Sequence, residues 1–149
     1  MTNHAPVRWG RMGMRLPIAA MFGLALAACG QTAADRVRTA QAADEEQAGL
    51  RRELAGLVPG QPSQCLPTRV RTDLRGYGTT LIYRVSDRLK YRTETSGGCE
   101  GVGRRDDILV TRSPSGRTCA GDISQTLDRG SRFPVGSCAL GQFVPYRRP

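Results

Sequence analysis

Cys65, Cys99, Cys119 and Cys138 are the residues whose type and spacing say most about chemistry in this chain. They stand 34, 20 and 19 positions apart. Structural zinc uses paired C-x-x-C spacings or histidines. Neither accompanies these cysteines, and the single histidine, His4, lies far upstream. An even set in one short stretch reads instead as two disulfides. A nucleophilic triad needs histidine or a substitute base beside Ser or Cys. The one substitute is Lys90, the only lysine, and alternation puts it on an outer strand face beside Arg92. Asp106 and Asp107 would point to opposite sides of a strand, so they read as a polar turn. Asp122, in Cys119-Ala120-Gly121-Asp122, reads as a turn residue accepting backbone N–H bonds. An enzyme using Asp122 or Asp107 is the one catalytic reading left. Gly97, Gly98, Gly101 and Gly103 lack the Lys-Ser/Thr and the helix of a phosphate loop. No catalytic residue, metal ligand or cofactor is assigned.

The elements that must position these residues are short and turn-rich. The chain has 149 residues, enough for one domain, with 18 Gly, 9 Pro and only 5% aromatics. That balance suits a small β fold better than a helical bundle. From Cys65 onward the apolar period is two. Thr68–Thr72 alternates, Gly76-Tyr77-Gly78 makes a turn, and Thr79–Val85 carries Leu81, Tyr83 and Val85 on one face. Further strands are expected at Leu89–Arg92, Asp107–Arg112, Asp122–Leu127 and Gln142–Val144, with Ser113-Pro114-Ser115-Gly116 as a turn. The prediction is a mainly β domain over 64–149, a small antiparallel barrel or β-roll of five to six strands. If consecutive strands run up and down, Cys65 and Cys119 fall at one end, Cys99 and Cys138 at the other. Of the three pairings that four cysteines allow, this favours Cys65–Cys119 and Cys99–Cys138.

Ahead of that domain, Thr32-Ala33-Ala34-Asp35 is a helix start, with an acid in the first turn. Alanines follow, and then Leu50, Leu54 and Leu57 at helical spacing. Residues 29–63 therefore read as a helical or flexible tether; a sharper version docks the short Leu stripe on the domain. Pro59-Gly60-Gln61-Pro62-Ser63 breaks the helix and marks a linker.

The formal net charge is +9, and residues 60–149 carry 15 basic against 8 acidic side chains, about +7. Arg69 and Arg71, Arg84, and Lys90 with Arg92 would form a cationic stripe across adjacent strands. Such a field suits anionic lipid head groups, another anionic envelope component or an acidic protein. The plainer reading is a solvated face filled by an Arg-rich coding bias.

Compartment comes from the N-terminus. Arg8, Arg11 and Arg15 precede an uncharged apolar run, Leu16–Ala28, too short to span a bilayer as a helix. Met12 or Met14 would serve as a start as well as Met1. The run closes on Leu26-Ala27-Ala28-Cys29, which resembles the lipobox of bacterial lipoproteins. The resemblance implies cleavage of residues 1–28 by a signal peptidase, loss of His4, and lipidation of Cys29. Gly30, where an Asp would retain the protein in the inner membrane, implies the outer membrane. Nucleic acid is not an expected partner there.

The mature domain also resembles a family of small exported proteobacterial domains of unknown function. The residues that carry the likeness are Cys65-Leu66-Pro67, Leu81-Ile82-Tyr83-Arg84, Tyr91-Arg92, Cys99 before Glu-Gly, Cys119-Ala120-Gly121-Asp122 and Cys138-Ala139-Leu140-Gly141-Gln142-Phe143. The resemblance implies export and disulfides but no activity. The expectation is a lipid-anchored, periplasm-facing envelope protein that binds or supports rather than catalyses. The alternative is a small secreted inhibitor or regulator presenting a constrained loop over 130–138, with Phe133-Pro134 at its centre.

Overall fold

A computed structural model describes residues 32–68 and 72–149. The Leu26–Cys29 site, the apolar leader, Arg69 and Arg71 lie outside the described residues. The chain divides into two compact units, Met1–Arg36 and Val37–Pro149. In the first, Thr32 caps a helix: its Oγ1 accepts the Asp35 N–H at 3.1 Å and donates to the Asp35 carboxylate at 2.6 Å. This reciprocal capping supplies a partner for an otherwise orphan helical donor.

That helix, α1 (Ala33–Glu53), is rich in alanine and carries Arg51 and Arg52 in its last turn, where the dipole favours cations. Within the second unit its residues 37–45 are exposed and Leu50 is buried. The helix ends just before Gly56, whose φ of 72° only glycine adopts without strain.

Among the described residues, eight antiparallel strands follow in two sheets. The larger has the order β1 (Val58–Pro59), β8 (Val144–Arg147), β4 (Leu89–Glu94), β3 (Thr80–Ser86), β2 (Asp73–Tyr77). The smaller has the order β5 (Ile108–Arg112), β6 (Ile123–Leu127), β7 (Pro134–Ala139). In β3 and β4, Leu81 pairs with Thr93 and Tyr83 with Tyr91, so these four share one face. Against that face pack Leu66, Val102, Leu140 and Phe143, with the Phe143 ring edge-on to Tyr83 at 5.7 Å. Leu109 of β5 brings the second sheet onto the same core.

The sheets are tied along one side. Thr95 bridges Leu140, and Cys65 bridges Cys119. Disulfides join Cys65 to Cys119 and Cys99 to Cys138, closing sequence separations of 54 and 39. Gly98 (φ 93°) and Gly136 lie backbone against backbone where the loop after β4 crosses β7; a Cβ at either would collide with the other strand's carbonyl region. The result is an open β-roll rather than a closed barrel.

Four local expectations are corrected. Residues 69–71 of the expected Thr68–Thr72 strand lie outside the described residues; Gly76 and Tyr77, expected in a turn, lie inside β2, and the turn falls on Gly78, φ 61°. The stretch read as a linker holds the last residue of the edge strand β1, Pro59, with Ser63 also bridging Phe143. Proline is tolerated there because an edge strand needs fewer donors. A short helix, α2 (Gly101–Arg104), intervenes after Cys99 and packs on the edge of β2. Residues 134–138 belong to β7 and are not loop.

Candidate functional site

The cationic stripe expected on β3 and β4 is neutralised from within. Arg84 pairs in register with Lys90, and Ile82 with Arg92, on the face opposite the core. The end of α1 covers part of that face. Lys90 is only 7% exposed: its Nζ lies 2.6 Å from Glu53 Oε1 and donates to the Glu53 carbonyl at 2.5 Å. One ammonium thus meets both a side chain and an orphan carbonyl at the helix C-terminus. Arg84 reaches Glu53 at 3.0 Å and Asp73 at 3.6 Å, and Arg92 holds Glu94 at 2.6 Å. The placement of Lys90 on an exposed face beside Arg92 is therefore corrected. A period-two pattern marks two faces of a strand but not which of them a distant helix will cover.

Glu53 collects three donors. Beyond Lys90 and Arg84, the Tyr77 hydroxyl donates to it at 3.1 Å. Burial by itself pushes this carboxyl up, but the Lys90 hydrogen bond and charge, with Tyr77 and Arg84, outweigh it and hold it below the ordinary value. Further along α1, Glu46 receives Arg104 at 2.6 Å. The C-terminal half of α1 thus sets carboxylates against basic residues of β3, β4 and α2.

The aspartates singled out as catalytic alternatives hold turns. Asp122 accepts the Cys119 N–H at 2.8 Å and donates its own N–H to the Cys119 carbonyl at 3.1 Å. Asp107 is buried and paired with Arg105 at 2.6 Å. Its carboxylate fills the space where Gly101 lacks a side chain. Asp106 (φ 58°) meets Arg129 at 2.7 Å. Among the described residues no cluster of three or more His, Cys, Asp or Glu is placed to hold a metal ion.

Within the expected 130–138 loop, only residues up to Phe133 are free of strand. Asp128 accepts N–H bonds from Gly130 and Ser131 and the Ser131 hydroxyl, at 3.1, 2.7 and 2.8 Å. The Ser131 bonds hold its carboxyl below the usual range.

One concavity lies beside the core face of β3 and β4, next to the Cys65–Cys119 bond. It is a cleft of about 440 Å³. Tyr83, Val85 and Tyr91 come from the core face of β3 and β4, Leu66 from beyond Cys65, and Arg117 and Thr118 from before Cys119. Burial pushes the Tyr83 phenol up to about 12, the Thr111 hydroxyl pulling the other way. Apolar ring surface beside hydroxyls and one guanidinium suits a small, partly apolar anion. Sequence reasoning missed it because Leu66 and Arg117 are remote in the chain. The signal was there in the Cys65–Cys119 bond, which necessarily brings their neighbours together. Comparison of the chain with protein-family models, curated proteins and solved structures returned no match.

Proposed function

We propose that this chain is a lipid-anchored, periplasm-facing envelope protein whose β-roll is a binding module rather than an enzyme. The observation that carries the compartment is the pair of disulfides, which are compatible with an oxidising, extracytoplasmic environment. To it the reading adds the lipobox-like Leu26-Ala27-Ala28-Cys29, acylation of Cys29, and the likeness to small exported domains. Gly30 favours the outer membrane over the inner. The binding role is supported by the commitments of Lys90, Asp122 and Asp107 to structural bonds, while the Tyr91–Arg117 cleft stays open.

Metabolic labelling with a radioactive fatty acid tests the anchor: label should enter the protein and vanish in Cys29→Ser. Unchanged labelling in that variant sinks the anchor. Photo-crosslinking from position 118 in intact envelopes tests the module. A discrete adduct that Arg117→Ser weakens supports it; an adduct pattern indifferent to that change removes the cleft as the site. The constrained-loop reading survives only as the shorter Asp128–Phe133 turn.

A further inference from the structure

The three-stranded sheet is amphipathic in the wrong sense for a face in water. Apart from Leu109, which packs on the core, its inner residues are mostly small or hydroxylated: Ser124 and Thr126 are fully buried, and Thr111 shares a 2.8 Å hydrogen bond with Ser124. Its outer residues include apolar side chains, several of them β-branched, with Gln125, Ser137 and Arg112 among them. Ile123 is 55% exposed, Val135 48% and Val110 37%. Strand register puts Ile108 beside Leu127, Val110 beside Gln125, and Arg112 beside Ile123 on that outer face. None of the residues registered there is acidic, and Arg112 is their only charge. An apolar sheet face built this way calls for a cover.

At its margin stands Phe133, 71% exposed. It is held out by a closed loop, in which Arg132 N–H bonds the Asp128 carbonyl at 2.9 Å and Asp128 N–H the Phe133 carbonyl at 3.0 Å. Arg132 beside it is exposed and, like Arg112, has no carboxylate partner among the described residues. The Asp128 carboxylate is turned into its own loop by Ser131.

We infer that the outer face of β5–β6–β7, led by Phe133, seats on an anionic lipid surface, with Arg112 and Arg132 reaching its head groups. This rests on the envelope location proposed above and names the partner of a second surface. Charge decides the occupant. Two copies of the face would set arginine against arginine with no carboxylate between them. A bilayer interface offers an apolar layer beneath negative head groups, which matches apolar strands rimmed by guanidinium groups.

The test uses the full chain, purified from membranes and reconstituted into vesicles, with Phe133→Trp as probe. The chain's only tryptophan, Trp9, precedes Cys29, and the protein without the substitution supplies the background. In phosphatidylglycerol-containing vesicles with brominated acyl chains, the indole at 133 should be quenched. An indole at exposed position 88 (Arg88→Trp) should not be. Arg112→Ser and Arg132→Ser should each weaken the anionic interaction about fivefold. Equal quenching at 88 and 133, or no quenching at 133 while the chain floats with the vesicles, overturns the inference. So does quenching that is equal in neutral phosphatidylcholine. A lipid-free blue shift that grows with protein concentration would also overturn it, in favour of a second copy. Flotation on neutral vesicles reports the anchor separately, so failure of either idea is distinguishable.

Discussion

Lys90 and Glu53 show how one buried pair decides a surface. Their side chains are 9% and 12% exposed, so water does little to screen them. Removing one partner leaves the other charge uncompensated, which typically costs about 3–5 kcal/mol. Glu53→Ala should therefore lower unfolding stability by an amount of that order in urea titration. Replacing the pair together, Lys90→Met with Glu53→Leu, should recover most of it, because the desolvation cost disappears with the charges. The same residues predict pH limits. Glu53 titrates below its ordinary 4.5 in the fold, so its contribution is complete above that value and is lost as pH falls through the lower folded value. Tyr83 titrates higher in the fold, at about 12 against 10.0. Its neutral form is the buried one, so stability should decline as pH rises from about 10 to about 12. Denaturant midpoints across pH should show both limbs; Glu53→Gln should flatten the acid one, and Tyr83→Phe the alkaline one.

Among elements, α2 is held by the absence of side chains. A Cβ on Gly76 would stand 2.6 Å from the Gly103 nitrogen, and one on Gly103 would run into the Gly76 carbonyl. This close approach lets a four-residue helix cover the edge of β2, where free N–H and C=O groups would otherwise invite another strand. Gly103→Ala should cost roughly 1–3 kcal/mol through overpacking, read as a lower melting temperature. The strands from Leu81 to Arg92 were legible because apolar residues alternate there in the sequence, Leu81, Tyr83 and Val85 and then Leu89 and Tyr91, although Ile82 and Lys90 on the other face are buried too. The edge strand β1 was not, since Val58-Pro59 has no period to read and exists only because β8 offers a partner. Strand β7 was hidden by Pro134 and Gly136, which look like turn residues. They sit in a strand because Pro134 opens it and Gly136 lies under Gly98.

For the whole molecule, the two disulfides differ in access. Cys99 and Cys138 are buried, at 1% and 3% exposure, while Cys65 and Cys119 are half-buried. Reduction follows access, so mild reductant followed by alkylation and peptide mapping should modify Cys65 and Cys119 first. Each bond closes a loop long enough to contribute roughly 2–4 kcal/mol. Full reduction should lower the melting temperature more than opening Cys65–Cys119 alone. The first opening should also loosen the cleft, since Leu66 and Arg117 flank that bond.

The sequence by itself determined the mainly β class, the capped helix before the domain and the turn role of Asp122. These are local matters: side-chain period, capping oxygens and turn chemistry act within a few residues. Tertiary structure alone decided that the second face of β3 and β4 is covered as well, where the cleft lies, and that the smaller sheet leaves Ile123, Val135 and Val110 exposed. Each depends on what a segment remote in the chain brings to the same place. Lys90 carries the lesson: alternation placed it opposite the core, and only Glu53, 37 residues earlier, determined that this face is also interior.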